Sequence, residues 1–158
     1  MTECRLLVKQ ISAQVIFLIV SLMFAPAFAA TDQGESYQMQ QQIEQFIKLH
    51  DSLSSDTAIK ELTKQVSSQF VYYHTHYNIE LNKTAWLKAL KIRKESTKTK
   101  NINTEVKSIQ FGYNVAFVRQ ISRWQQRVGN KWYQRESDNI TTVFEFNKGK
   151  ISAVREYW

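Results

Sequence analysis

The segment from Ile140 to Trp158 constrains the fold more than any other part of this 158-residue chain. Apolar and polar residues alternate on both sides of Asn147-Lys148-Gly149, which predicts two strands joined by a tight turn. Glycine favours such a turn because it adopts a positive φ at little steric cost. Alternation with a period of two gives a strand pair one apolar face, so we expect this hairpin to cover a core.

The N-terminus has the pattern of an export signal. Arg5 and Lys9 precede the apolar run of residues 15–24, and Ala27 and Ala29 put small residues at the two positions that a cleavage site requires. We therefore predict a Sec-type signal peptide over residues 1–29, cleaved after Ala29.

The predicted mature chain, residues 30–158, has the length of a single domain in the periplasm or outside the cell. Cys4 is the only cysteine and would leave with the signal, so we expect neither a disulfide nor a cysteine-based metal site. The alternative is a retained membrane anchor, because residues 11–30 contain no charged side chain.

The chain is basic, with a formal net charge of +7. We interpret its main basic cluster as a solvated helix face followed by a loop, and the predicted export argues against a nucleic-acid partner. Attraction to the headgroups of anionic lipids or lipopolysaccharide is the alternative. The cluster comprises Lys83, Lys88, Lys91, Arg93, Lys94, Lys98, Lys100 and Lys107.

Hydrophobic periodicity places helices first and strands after them. Apolar residues at helical spacing predict a first helix over residues 37–50, Ser55 or Asp56 can cap a second, and Asn82 or Thr84 can begin a third. This order indicates an α+β fold, with three N-terminal helices and a mostly antiparallel sheet. Strands are predicted over residues 70–77, 103–109, 114–124, 131–146 and 150–158.

Three parts of the chain share a resemblance. Residues 46–59 are similar to the helix-break-helix start of ketosteroid isomerases, and residues 70–74 with 83–90 to the strand and third helix that follow. With its closing hairpin, the chain resembles the nuclear transport factor 2-like superfamily, which includes those isomerases and the SnoaL-type polyketide cyclases. Lys83 departs from the pattern, since glycine is usual there. The resemblance implies a cone-shaped fold whose curved sheet wraps the helices.

The resemblance also allows the catalytic residues of the isomerases to be compared with this sequence. The general-base aspartate of the isomerases falls on His74, the tyrosine that donates to the oxyanion on Phe46, and the neighbouring acid on Thr142. The pocket tryptophan is retained as Trp158. Losing an oxyanion donor costs about 2.7–4 kcal/mol in mutational tests, so we do not expect steroid isomerase activity.

Strand alternation, anchored on those matched positions, assigns most residues of a pocket, and the resemblance implies that Phe117 and Arg119 also face it. We predict apolar walls and a few polar groups that bind a small, partly apolar or anionic molecule. The predicted pocket consists of Tyr72, His74, Phe117, Arg119, Asp138, Ile140, Thr142, Phe144, Glu156 and Trp158.

Arg119 and His74 are the residues of this set that are best suited to binding a charged ligand or to catalysis. Arg119 could clamp a carboxylate or phosphate, or pair internally with Glu156 or Asp138. His74 could act as a general base, or hydrogen-bond within the wall. His74 and His76 have a spacing that could hold a metal, but we predict no metal and no cofactor.

A homodimer is expected through the outer face of the sheet. Domains of the resembled superfamily often pair in this way, and Trp124, Trp132 and Tyr133 could supply an apolar patch. Partial burial of these rings against neighbouring strands is the alternative.

The sequence thus favours an exported domain that binds a small molecule and leaves catalysis open. Two alternatives stay open: a SnoaL- or isomerase-like enzyme with His74 as general base, and a protein-interaction module with a vestigial pocket. A cavity filled by Phe46, Phe144 and Trp158, with Arg119 paired to Glu156, would favour the interaction module.

Overall fold

The computed structural model describes residues 27–53 and 55–158, with side chains from residue 34 onward. Residues 1–26, which hold Cys4 and most of the predicted signal peptide, lie outside the described part. None of the helices within it combines the length and the apolar character that crossing a bilayer requires.

The three predicted helices are present as α1 (Ala27–Asp51), α2 (Asp56–Gln65) and α3 (Lys83–Glu95). Helix α1 begins earlier than predicted, because the polar residues before Tyr37 carry no apolar periodicity from which to place its start. Ser55 caps α2 by accepting a 3.2 Å hydrogen bond from the Ala58 amide. Asn82 caps α3 in the same way, accepting from the Ala85 amide at 3.0 Å.

The strands form one curved, mixed sheet in the order β2-β1-β7-β6-β4-β3, with β5 paired to β4. Strands β1 and β7 run parallel, and the other described pairs are antiparallel. The predicted α+β fold, with three helices on a mostly antiparallel sheet, is confirmed. The strands are β1 (Val66–His74), β2 (Ile79–Asn82), β3 (Thr99–Gly112), β4 (Val115–Val128), β5 (Lys131–Glu136), β6 (Ile140–Asn147) and β7 (Lys150–Tyr157).

The closing hairpin has the predicted turn. Asn147 pairs with Lys150, and the two residues between them have positive φ angles, 51° at Lys148 and 72° at Gly149. Positive φ at both central residues is typical of a type I′ turn, whose twist suits a two-residue hairpin.

Two predicted strands have different limits. The strand predicted over residues 131–146 is divided into β5 and β6, because β4 pairs with β6 over its first half and with β5 over its second. At the division, the Ser122 amide donates to the Ser137 hydroxyl at 2.9 Å, and the Ser137 amide donates to the Ser122 carbonyl at 2.9 Å. Strand β1 ends at His74, where a 3₁₀ turn (Thr75–Tyr77) begins.

The core lies between the helices and the concave face of the sheet. The Phe46 ring stacks on Trp86 at 6.0 Å between centroids and meets the edge of Phe144 at 5.6 Å. Trp86 also contacts Phe70 at 4.7 Å, and all four rings are almost wholly buried. Burial of each such ring contributes about 1.5–3 kcal/mol, and their contact fixes α1 and α3 against the sheet.

Candidate functional site

The register of four strands decides which side chains face the helices. His74 of β1 lies beside Glu156 of β7, which pairs with Thr142 of β6, which pairs with Val118 of β4. Since directly paired residues point to the same side of a sheet, these four share the inner face. Tyr72, Val154, Phe144 and Ala116 form the next row of the same face.

A cavity of about 330 Å³ opens between this inner face and the helices. The vestigial pocket considered above would have been filled by aromatic rings, whereas the rings here leave this space open. Its walls are formed by Phe46, Ile47, His50, Asp51, Tyr72, His74, Arg93, Thr99, Ile102, Thr104, Gln120, Ser122, Trp124, Ile140, Thr142, Phe144, Val154, Glu156 and Trp158.

Seven of the ten predicted pocket residues line this cavity. They are Tyr72, His74, Ile140, Thr142, Phe144, Glu156 and Trp158. All seven lie on or directly beside β1, β6 and β7, the strands whose faces follow from the closing hairpin and its neighbour.

The prediction that Phe117 and Arg119 face the pocket was wrong. Phe117 pairs with Val143 and Arg119 with Thr141, both on the outer face, and both side chains are exposed. Strand β4 has apolar residues on both faces, so alternation alone could not choose between them. A usable signal was the recurrence of arginine at 119, 123 and 127, which is typical of a face in contact with solvent.

Asp138 was also predicted wrongly. It lies in the break between β5 and β6 and is exposed. Strand β6 begins at Ile140, so its alternation does not apply to the residues before it. His76, on the 3₁₀ turn, is exposed and does not share the wall with His74. Across residues 27–53 and 55–158, no three His, Cys, Asp or Glu side chains come together as a metal site requires.

The first polar group of the cavity is a cluster around Glu156. The Tyr72 hydroxyl donates to Oε2 of Glu156 at 2.7 Å, and Nε2 of His74 lies 4.0 Å from the same oxygen. The His74 ring stacks on Trp158, with centroids 5.4 Å apart, and it also contacts the Tyr77 ring, with centroids 4.5 Å apart. Burial, and then the Glu156 charge, raise the pKa of Tyr72, so this phenol keeps its proton and acts as a donor.

A second polar group joins α1 to strands β3 and β4. Asp51 accepts hydrogen bonds from the Thr104 amide at 2.6 Å and from the Thr104 hydroxyl at 3.0 Å, and that hydroxyl lies 2.9 Å from Oγ of Ser122. Burial raises the pKa of Asp51, and the hydrogen bonds from Thr104 and the charge of Arg93 oppose this rise. Beside this group, Nε2 of Gln120 donates to Thr142 at 3.1 Å, while the buried Oε1 of Gln120 has no partner within the described residues.

Arg93 supplies the guanidinium that lines the cavity, in place of Arg119. Its Nη2 donates to the His50 carbonyl at 3.0 Å, and its Nη1 lies 2.8 Å from Nε2 of the His50 ring. His50 is stacked on Phe46 at 5.9 Å. Burial, and then the Arg93 charge, hold the pKa of His50 well below its usual value, so the imidazole is neutral and can accept from Arg93.

Helical spacing puts both of these residues on the apolar faces of their helices, which makes them candidates for the cavity wall. Arg93 follows Trp86 and Leu90 at intervals of four and three on α3, so it continues their buried stripe. His50 lies four residues after Phe46 on α1 and therefore shares its face. Alternation along the strands cannot indicate the pocket residues that the helices contribute, and both residues were therefore missed.

The remaining basic cluster is not a uniform charged face. Lys83 donates to the carbonyls of Thr63, Val66 and Ser67 at 3.1–3.4 Å, and Lys94 donates to Asp56 at 2.7 Å. Several of its charges are thus engaged within the domain.

The three aromatic residues of the predicted dimer patch do not share one surface. Trp124 lines the cavity. Trp132 pairs with Arg127 and so lies on the outer face, where Lys100 sits 4.1 Å from its ring centroid, whereas Tyr133 pairs with Gln126 and lies on the opposite side. Adjacent strand residues must alternate, so Trp132 and Tyr133 cannot act together. Dimer formation through the outer face stays a prediction, and Trp132 is the ring of these three that lies on that face.

Comparison of the folds gives similarity to solved structures at low sequence identity. A protein assigned as a SnoaL-like polyketide cyclase, from Shewanella denitrificans OS-217, has a TM-score of 0.60 at 12% identity, over 74% of this chain and 87% of that one. An NTF2-like protein of unknown function from Exiguobacterium sp. 255-15 has a TM-score of 0.57 at 14% identity, over 73% and 95%.

A third similar structure is a hypothetical protein with a ketosteroid isomerase-like fold from Catenulispora acidiphila DSM 44928, in complex with trimethylamine. It has a TM-score of 0.54 at 8% identity, over 72% of this chain and 84% of that one. No protein-family model and no curated protein matches the chain. At these identities the similarity concerns the fold, and it confirms the resemblance at that level.

Proposed function

Because the chain has the nuclear transport factor 2-like fold, we propose that it binds a small, partly apolar molecule in the cavity between its helices and the inner face of its sheet. The cavity itself is the observation that carries this proposal. Its volume of about 330 Å³ lies at the lower end of the range of about 300–1,000 Å³ usual for small-molecule sites.

The lining has the composition that such a site needs. Aromatic and aliphatic side chains form most of the wall, and the polar groups are few and held in place by neighbours. Apolar walls supply affinity, and fixed polar groups supply orientation. The related fold from Catenulispora acidiphila is in complex with trimethylamine, so a domain of this architecture is able to hold a small organic molecule.

We further propose that the domain acts outside the cytoplasm, on the strength of the signal-like residues 1–29. The intact mass of the protein purified from its own host tests this directly. A chain that begins at Ala30 supports the proposal, and a chain that retains the apolar segment overturns it.

Native mass spectrometry of the same preparation tests ligand binding. We expect an added mass that denaturation removes. Val154→Phe, which projects a ring from the inner face, should abolish the added mass, whereas Val143→Phe on the outer face should retain it. Circular dichroism shows whether each variant folds. A folded Val154→Phe protein that keeps the added mass would place the ligand elsewhere and refute the proposal.

An enzyme is the second candidate, and one geometric observation favours it. An imidazole on the wall of an apolar cavity, with Nε2 of His74 4.0 Å from a Glu156 oxygen, is positioned as a general base could be. Thr142 is the neighbouring hydroxyl that could donate to an oxyanion, since Arg119 lies on the other face. Deuterium uptake next to the carbonyl of a small cyclic ketone, followed by NMR, measures such activity. Unchanged uptake in His74→Ala would eliminate this candidate.

A further inference from the structure

The charges along the cavity wall do not balance. The charged side chains that line it are the carboxylates of Asp51 and Glu156 and the guanidinium of Arg93. Both imidazoles, His50 and His74, line it as well. Carboxylates therefore outnumber guanidinium groups along this wall.

Arg93 is poorly placed to attract an anion. Its guanidinium is directed to the His50 carbonyl and ring, and both Asp51 and Glu156 act on it electrostatically. Within the described residues it forms no salt bridge, so its positive charge is balanced by two carboxylates at longer range. An incoming anion would meet those carboxylates together with the one cation of the wall.

One of the two carboxylate oxygens of Glu156 is available to a ligand. Its Oε2 accepts from Tyr72 at 2.7 Å, while Oε1 accepts from no group in the part of the chain that the structure describes. The side chain is 15% exposed, so it is largely withdrawn from water yet still reachable from the cavity. A carboxylate in this state gains most from a donor that also carries positive charge.

Aromatic rings line the same cavity. The Tyr72 hydroxyl contacts Glu156, the Trp158 ring stacks on His74, and Trp124 lines the wall from β4. Ring faces attract cations, Trp most strongly, and this attraction grows where water is excluded. A wall that combines a carboxylate with such rings suits a cation with apolar substituents.

The polar groups that α1, β3 and β4 contribute to the cavity also accept. The Thr104 hydroxyl donates its one proton to Asp51, so in the contact between Thr104 and Ser122 the Ser122 hydroxyl must be the donor. Ser122 therefore offers only lone pairs to a ligand. The unpartnered Oε1 of Gln120 is another acceptor.

From these observations we infer that the molecule bound in the cavity is an organic amine, with its protonated nitrogen on Glu156 and its apolar part against Phe46 and Phe144. This inference rests on the proposed function and names the chemical class of its ligand. It also replaces the anionic ligand that the sequence left open, because Arg119 is outside the cavity.

Three probes of similar shape and different charge test the inference: benzylamine, benzyl alcohol and benzoate. Their dissociation constants are measured by isothermal titration calorimetry on the full domain at about pH 8, where alkylammonium groups stay charged and imidazoles are ordinarily neutral. We expect benzylamine to bind about tenfold more tightly than benzyl alcohol, and benzoate to bind most weakly.

Variants assign the preference to a residue. Glu156→Gln keeps an acceptor for Tyr72 but removes the charge, so benzylamine should lose its advantage over benzyl alcohol. Glu145→Gln is the matched control, because Glu145 pairs with Arg155 on the outer face, and it should keep the advantage. Thermal melting verifies that both variants are folded.

The outcomes separate the inference from the proposed function. Equal binding of the amine and the alcohol, tighter binding of benzoate, or a preference that survives Glu156→Gln each overturns the inference while leaving a binding cavity. A host-derived molecule that contains no basic nitrogen does the same. Binding of none of the probes, with no added mass in the native spectrum, removes the proposed function and the inference with it.

Discussion

The Tyr72 hydroxyl and the Glu156 carboxylate, 84 residues apart in the chain, meet in a hydrogen bond of 2.7 Å across the parallel β1–β7 pair. Tyr72→Phe removes the donor and leaves a largely buried carboxylate oxygen unpaired. We expect the free energy of unfolding to fall by about 1.5–3 kcal/mol, measured by urea denaturation. Tyr157→Phe, at an exposed ring on the same strand as Glu156, is the control and should change stability little.

Phe144 holds the helices to the sheet through its edge contact with Phe46. Phe144→Ala should lower the free energy of unfolding by about 3–5 kcal/mol, because it removes a buried ring and leaves a void. Tyr113→Ala, at a ring that is 90% exposed, should cost far less in the same denaturation experiment. Equal losses in the two variants would contradict the described core.

Thr104 links Asp51 to Ser122 through its hydroxyl. Thr104→Val keeps the shape of the side chain and the amide hydrogen bond but removes two side-chain hydrogen bonds. We expect a loss of about 1–3 kcal/mol in the free energy of unfolding, since Asp51 is then a half-buried carboxylate with one donor fewer. Thr141→Val on the outer face provides the comparison, and its stability should stay close to that of the parent protein.

Stability should depend on pH through His50. Burial, and then Arg93, lower the pKa of His50 well below the usual 6.5, so the folded state resists a proton that the unfolded chain accepts. Below about pH 6.5 the unfolded state therefore binds more protons, and the free energy of unfolding decreases as the pH is lowered, by at most about 1.4 kcal/mol per pH unit. Asp51 acts in the opposite sense at lower pH, because burial raises its pKa from 3.8.

Urea denaturation at a series of pH values measures this dependence. His50→Gln should have a shallower decline than the parent protein between neutral pH and about pH 5, since the titrating group is gone. His76→Gln, at an exposed histidine of the 3₁₀ turn, should retain the full decline. A decline of the same steepness in His50→Gln would assign the effect to another group.

The outer face is expected to mediate dimer formation. Phe117 is 45% exposed and Trp132 38% exposed on this side of β4 and β5. Phe117→Glu introduces a charge into the predicted contact and should convert a dimer to a monomer in sedimentation velocity experiments. Tyr113→Glu is the control, and a parent protein that sediments as a monomer would refute the prediction.

The sequence was most informative where a short turn fixes the register. The Lys148–Gly149 turn sets the pairing of β6 with β7, so placing Trp158 and Thr142 inward led correctly to Glu156 and Phe144. Between β4 and β6 the chain forms β5 and then a break at residues 137–139, so no short turn fixes the register of β4 relative to β6. Its inner residues therefore could not be chosen by alternation.

The residues that the helices contribute to the cavity were difficult to predict for a different reason. Arg93 and His50 lie near the ends of α3 and α1, where a polar residue on an apolar stripe is as easily a solvated cap as a buried group. Whether such a polar residue is buried depends on how the helix lies on the sheet, and the periodicity of the helix does not give this orientation. The pairing of Arg93 with His50 needed the tertiary arrangement.

The parallel pairing of β1 with β7 has a consequence for biosynthesis. A ribosome completes β1 long before β7, so a growing chain carries Tyr72 and His74 without the strand that sits beside them. The binding wall cannot assemble on a partly translated chain. If the domain is exported as we propose, this delay helps to keep the polypeptide in the unfolded form that a translocation channel accepts.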